Sequence, residues 1–124
     1  MATRSRIGME MPNGDVRSIY CHYDGYPSGV GAMLKEHYTN PEKLESLIAL
    51  GDISILGQFV SVNIPGVVHT FENPNDGVTV AYHRDRQEFY NPARVDMNIE
   101  SFAKSDFEEF GYVFTQEGEW KTFA

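Results

Sequence analysis

The sequence predicts an α+β fold: an antiparallel sheet of hairpins with two or three short helices packed on one face. Three observations predict it. Alternating stretches flank an Asn13-Gly14 turn near the start, two helix-period stripes with end signals follow, and a second hairpin pattern closes the chain. A sheet face and a helix stripe each need an apolar partner, and packing one on the other supplies both. Hydrophobic residues make up 41% of the chain and aromatics 13%, enough to fill a core and exclude general disorder. At 124 residues the chain reads as a single domain, 1–124, with no linker, internal repeat or low-complexity tract to divide it.

Taken in order, Ile7, Met9 and Met11 alternate with Arg6, Gly8 and Glu10. Pro12-Asn13-Gly14-Asp15 supplies the turn, since Asn-Gly tolerates the positive φ of a tight hairpin. The return strand, 16–23, places Arg17, Ile19, Cys21 and Tyr23 on one face and Val16, Ser18, Tyr20 and His22 on the other. Both faces carry aromatics, which predicts a central strand or one covered on both sides. A glycine-rich bend then leads into Val30, Met33, Leu34, His37 and Tyr38, spaced as one helix face. The next helix opens at Asn40-Pro41, cap and first position, buries Leu44, Leu47 and Ile48, and ends near Gly51. Residues 59–64 alternate as a strand ended by Pro65-Gly66, and 78–83 read as a stronger strand after the turn at 72–77. That strand runs into Arg84-Asp85-Arg86 and a loop through Asn91-Pro92. Ile99, Phe102 and Ala103 mark a short helix, and 112–115 with 120–123 form the closing hairpin.

Charge narrows the partners. Ten Lys and Arg against eighteen Asp and Glu give a net charge of −8 and a pI near 4.8. Between 96 and 119 the acids Asp96, Glu100, Asp106, Glu108, Glu109, Glu117 and Glu119 face only Lys104. Such a field repels nucleic acid and anionic membrane and attracts basic protein surfaces, so neither direct nucleic-acid nor membrane binding is expected. The acids serve either as a solubilising surface or as a decoy for a basic partner. Cys21 is the single cysteine, which excludes an internal disulfide and suits a reducing cytosol. No stretch resembles a secretory segment or reaches the length of a membrane span.

Two clusters carry chemistry. The first is His22-Tyr23-Asp24-Gly25-Tyr26, continuing through Gly29 and Gly31, where a strand end turns into a helix start. Amides at a helix start favour anions, and glycines allow close approach to the backbone. The spacing is neither a Walker loop nor a dinucleotide fingerprint, and a glycine-rich connector with packed Tyr and His explains it as well. The second is Tyr82-His83-Arg84-Asp85-Arg86. Guanidinium forks suit phosphate, and the tyrosines offer faces to a base. The alternative is local ion pairing of Arg84 and Arg86 with Asp85, Asp24 or Glu88. If strand 78–83 lies beside strand 16–23, the clusters meet at one end of the sheet. Cys21 and His22, adjacent on a strand, point to opposite faces and make a poor nucleophile–base pair. His22, His37, His69 and His83 lack metal-ligand spacing, so no metal or other cofactor is expected.

The run Ser18-Ile19-Tyr20-Cys21-His22-Tyr23-Asp24-Gly25-Tyr26-Pro27, with Gly29-Val30-Gly31 and Val78-Thr79-Val80-Ala81-Tyr82-His83-Arg84-Asp85-Arg86, resembles small accessory proteins of tailed bacteriophages and prophages. The resemblance covers roughly residues 3–90. It implies a phage protein of the host bacterial cytoplasm that counters a host or antiviral defence system, and it implies no particular activity. Joined to the clusters, it leads to the expectation of a non-enzymatic protein that sequesters a phosphate-bearing nucleotide. The alternative is an acidic inhibitor, resembling a nucleic-acid mimic, of a basic host protein. A small nucleotide hydrolase using His83 is the third reading. Edge strands and aromatic surface also suit a homo-oligomer.

Overall fold

The Asn13-Gly14 turn sets the register of the first hairpin. Gly14 takes φ +94°, and the Met11 amide reaches the Asp15 carbonyl at 2.7 Å. Strand β1 (Ser5–Glu10) and strand β2 (Val16–Cys21) then pair antiparallel, with Ile7 opposite Ile19. The computed structural model describes residues 2–62 and 64–124. Among these residues the other strands are β3 (Ile53–Ile55), β4 (Val80–Ala81), β5 (Arg94–Asp96), β6 (Phe110–Phe114) and β7 (Trp120–Phe123). The helices are α1 (Ala32–His37), α2 (Pro41–Ile48), α3 (Tyr82–Arg86) and α4 (Ile99–Lys104), and a π-helical turn at Pro27–Gly31 precedes α1.

All seven strands join one sheet in the order β4-β3-β2-β1-β6-β7, with β5 on β2. Strand β2 is central, as its two-sided pattern predicts. One edge meets β1, and the other is divided between β3 beside Cys21 and β5 beside residues 16–18. The sheet is mostly antiparallel, with parallel pairs at β1–β6 and β2–β3. Ile19 and Cys21 are buried on one face of β2, Val16 and Ser18 on the other.

The Asn40-Pro41 signal works as local chemistry predicts. Asn40 Oδ1 accepts from the Glu42 amide at 2.8 Å, and Leu44, Leu47 and Ile48 turn inward. With Leu34 and Tyr38 they pack on Ile7, Ile19, Cys21, Ile53, Tyr112 and Phe114. Each buried aliphatic chain contributes about 1.5–3 kcal/mol. Helix α4 covers the opposite face, where Phe102 packs with Val16 and Val113. Helices α1 and α2 therefore share one face, and the third core helix sits on the other.

The middle of the chain departs from its pattern. Residues 59–62 form no ladder beyond a bridge from Phe59 to Val78, and Asn63 lies outside the described residues. A side chain replaces the missing neighbour: Arg84 donates to the Val60 carbonyl at 2.7 Å. The strand expected over 78–83 shrinks to Val80–Ala81, and Tyr82 begins α3. Asp85 Oδ2 accepts the Ala81 amide at 2.7 Å, closing a helical turn where alternation alone reads as extended chain. Strand β4 does not lie beside β2 either, because β3 stands between them.

Candidate functional site

The glycine-rich corner is built by packing. Gly25 donates to the Thr3 carbonyl at 2.8 Å, and its own carbonyl accepts the buried Tyr112 hydroxyl at 2.6 Å. A Cβ at Gly25 would lie 2.7 Å from Thr3 O, so the chain crossing itself requires glycine there. A Cβ at Gly31 would lie 3.1 Å from the Tyr112 ring, and one at Gly29 would meet Asp24 O and the Tyr26 ring. The amides of Gly29 and Gly31 bond to Tyr26 O, and that of Val30 to Asp24 O. These amides are thus engaged inside the π-helical turn and unavailable to an anion. What stays exposed is Tyr23, Asp24 and Tyr26, with the Tyr26 hydroxyl donating to Asp24 Oδ1 at 3.1 Å. That bond, together with the Asp24 charge, pushes the Tyr26 phenol above its ordinary range. With Met33, Glu36, His37 and Leu56 they bound a hollow of about 330 Å³.

The second cluster is also largely committed. Arg84 Nε reaches Asp85 Oδ1 at 2.9 Å; Nη1 reaches Val60 O at 2.7 Å and Ser61 Oγ at 2.9 Å; Nη2 reaches Thr79 O at 2.7 Å and Asp85 Oδ2 at 3.0 Å. A guanidinium has five N–H donors, and all of them are used. Asp85 is buried, and His69 closes the group from the other side. His69 Nδ1 accepts the Asn75 amide at 3.0 Å, and Nε2 therefore donates to Thr79 O at 3.0 Å, 3.4 Å from Asp85 Oδ2. Arg86 pairs with Glu88 at 3.4 Å and lies 4.7 Å over the Phe71 ring. Both alternatives given for this sequence, local ion pairing and phosphate recognition, call on the same two arginines; the ion pairing is what their contacts display.

Residues of the two clusters do not line one hollow. Tyr82 and His83 open onto a larger cleft of about 840 Å³ with Tyr20, Asp52, Gln87, Glu88, Phe89, Tyr90 and Asn91. The corner at 23–30 lines the smaller hollow, and Arg86 faces a third beside Phe71. His22 links the first two. Its Nδ1 lies 2.7 Å from the Tyr20 hydroxyl, and its ring meets Tyr23 edge-on at 4.6 Å.

The large cleft is aromatic-walled and acidic. It holds the rings of Tyr20, Tyr82, Phe89 and Tyr90 and the carboxylates of Asp52 and Glu88, with Arg86 pairing with Glu88 from outside and no Lys or Arg lining it among the described residues. Burial pushes the Tyr20 and Tyr82 phenols upward, so both stay neutral near pH 7. Asp52 Oδ1 accepts the Tyr20 amide at 3.1 Å, and Oδ2 carries no hydrogen bond among the described residues. His83 Nδ1 sits 2.8 Å from the Glu88 carbonyl, while Gln87, at φ +58°, turns the chain out of α3 toward Phe89. Sequence reading missed Asp52, Gln87, Phe89, Tyr90 and Asn91 because no local pattern marks them, and it named Glu88 only as an ion-pair partner; Tyr20 at least stood inside the unusual 18–27 run.

Cys21 is fully buried, and burial pushes its thiol up to about 12, which makes it an inert core group. Among the described residues no three His, Cys, Asp or Glu side chains are grouped to hold a metal ion, and no helix is long and apolar enough to cross a membrane. Fold and cleft together define a class: a mixed α+β protein whose seven-stranded sheet ends in an open aromatic and acidic cleft. Beyond that class, comparison with protein-family models, curated proteins and solved structures returns no match.

Proposed function

We propose that the protein is a binding protein that captures a basic partner protein through the aromatic cleft. The carrying observation is the lining itself: four aromatic rings and the carboxylates of Asp52 and Glu88, the second of them paired with Arg86 at the rim. Aromatic faces attract cations by their quadrupole, and carboxylates add direct charge attraction. The chain's net charge of −8 supports the same partner, since it draws a basic surface from a distance. On the resemblance to phage accessory proteins, the partner is a host protein, and its capture counters a host or antiviral defence system. A phosphate-bearing nucleotide finds less here, because Arg84 has spent its donors and the turn amides are engaged.

Calorimetry with an arginine- and lysine-rich peptide, set beside a panel of linear and cyclic nucleotides, tests the reading. Peptide binding that weakens with salt and falls about tenfold in Tyr82→Ala, roughly 1.4 kcal/mol, is the expected result. Nucleotide binding without peptide binding overturns it and returns the site to an anion. Peptide binding unchanged in both Tyr82→Ala and Asp52→Asn removes the cleft from the proposal.

A further inference from the structure

The cleft offers more than negative charge, because its acceptors differ in kind. A carbonyl can only accept, so His83 Nδ1 must carry the proton that it shares with Glu88 O at 2.8 Å. In the neutral ring Nε2 is then a lone-pair acceptor, and the tautomer is set by the main chain. The imidazole is held further by an edge contact to Tyr90 at 5.2 Å. Asp52, also in the lining, brings a second acceptor in Oδ2, which takes no hydrogen bond among the described residues. Phe89, 95% exposed, adds a large ring with nothing packed on it.

A point-charge ammonium uses such a set poorly. It is strongly hydrated, and its three donors diverge from a single atom. A guanidinium is planar, more weakly hydrated, and spreads five donors around its edge while both faces remain free to stack on rings. From these features we infer that the cleft is an arginine-selective subsite, with His83 Nε2 as the acceptor that distinguishes arginine from lysine. The inference rests on the basic-partner reading and deepens it.

Short capped peptides carrying one Arg, one Lys or one trimethyl-lysine, titrated into the 15N-labelled intact chain, separate the two claims. The expected result is Arg binding at least about tenfold tighter than Lys, with shifts at Tyr82, His83 and Phe89. His83→Asn keeps a donor where Nδ1 stood and removes the Nε2 acceptor; it brings Arg and Lys within about threefold of one another. His83→Gln, which places a carbonyl oxygen near the Nε2 position, restores part of the preference. Equal Arg and Lys binding in the unaltered chain overturns the selectivity and leaves the basic-partner reading standing. Tighter binding of trimethyl-lysine does the same, because that ion has no N–H to donate. A preference that survives both His83 variants removes His83 from the role. Failure of every peptide to bind defeats the basic-partner reading itself.

Discussion

Replacing Asp85 with alanine tests the buried carboxylate at the centre of the Arg84 network. The Asp85 side chain is 3% exposed and accepts from Arg84 Nε at 2.9 Å, Arg84 Nη2 at 3.0 Å and the Ala81 amide at 2.7 Å, with His69 Nε2 at 3.4 Å. Asp85→Ala leaves two Arg84 donors and one backbone N–H without partners. Breaking a buried ion pair from one side costs about 3–5 kcal/mol. Arg84 retains 28% side-chain exposure, so water recovers part of its charge and the lower end, about 3 kcal/mol, applies. That is a large share of the roughly 5–15 kcal/mol that holds a domain of ordinary stability. Urea unfolding followed by circular dichroism measures it, with Arg84→Met as a companion. The double variant should cost less than the two singles summed, since each single strands the other's charge. A loss below about 1 kcal/mol in Asp85→Ala would show that the Arg84 network does not hold this region.

Three other outcomes follow from the same geometry. Gly25→Ala should lower the thermal midpoint, by about 1–3 kcal/mol of stability, because its Cβ meets Thr3 O and the Ser5 side chain; a glycine kept only to cradle a ligand would melt unchanged. Cys21 should resist thiol reagents in the native state and react only as the chain unfolds, so labelling that is fast next to unfolding contradicts its burial. Stability should fall at alkaline pH. Burial raises the Cys21 thiol from 9.0 and the Tyr112 phenol from 10.0, each to about 12, so the folded chain holds protons that the unfolded chain releases. Stabilisation is therefore complete below pH 9 and declines as pH climbs toward 12, and Cys21→Ala should flatten the decline in urea midpoint.

The legible parts of the fold were those governed by neighbours in sequence. Asn13-Gly14 and Asn40-Pro41 act through bonds to atoms two or three residues away, and both read correctly from the local residue order alone. Strands β3 and β5, three residues each, are too short to display alternation. The stretch from Val78 alternates like a strand, yet Asp85, accepting the Ala81 amide four residues back, folds its second half into α3, one local preference overriding another. The site followed the same rule. Tyr82 and His83 stood out by residue type, but the cleft they enter also needs Tyr20 from β2, Asp52 from the approach to β3 and the loop after α3. Arg84 looked like a phosphate fork because its partners at Val60 and Ser61 are 24 and 23 residues away.

That distance has an outcome for how this chain can vary. The span between β3 and β4 is held at its root by several ties, among them Arg84 on Val60 O and Thr79 O, Tyr38 on Gly57 O, Lys43 on Gln58 O and His69 on Thr79 O. The oxygens they meet are main-chain carbonyls that every amino acid supplies. Ile64, Val67 and Val68, exposed beyond those ties, carry little of the attachment. The exposed tip at 64–68, short of the bonded His69, is where foreign peptide or a reporter tag could be spliced in with the sheet undisturbed.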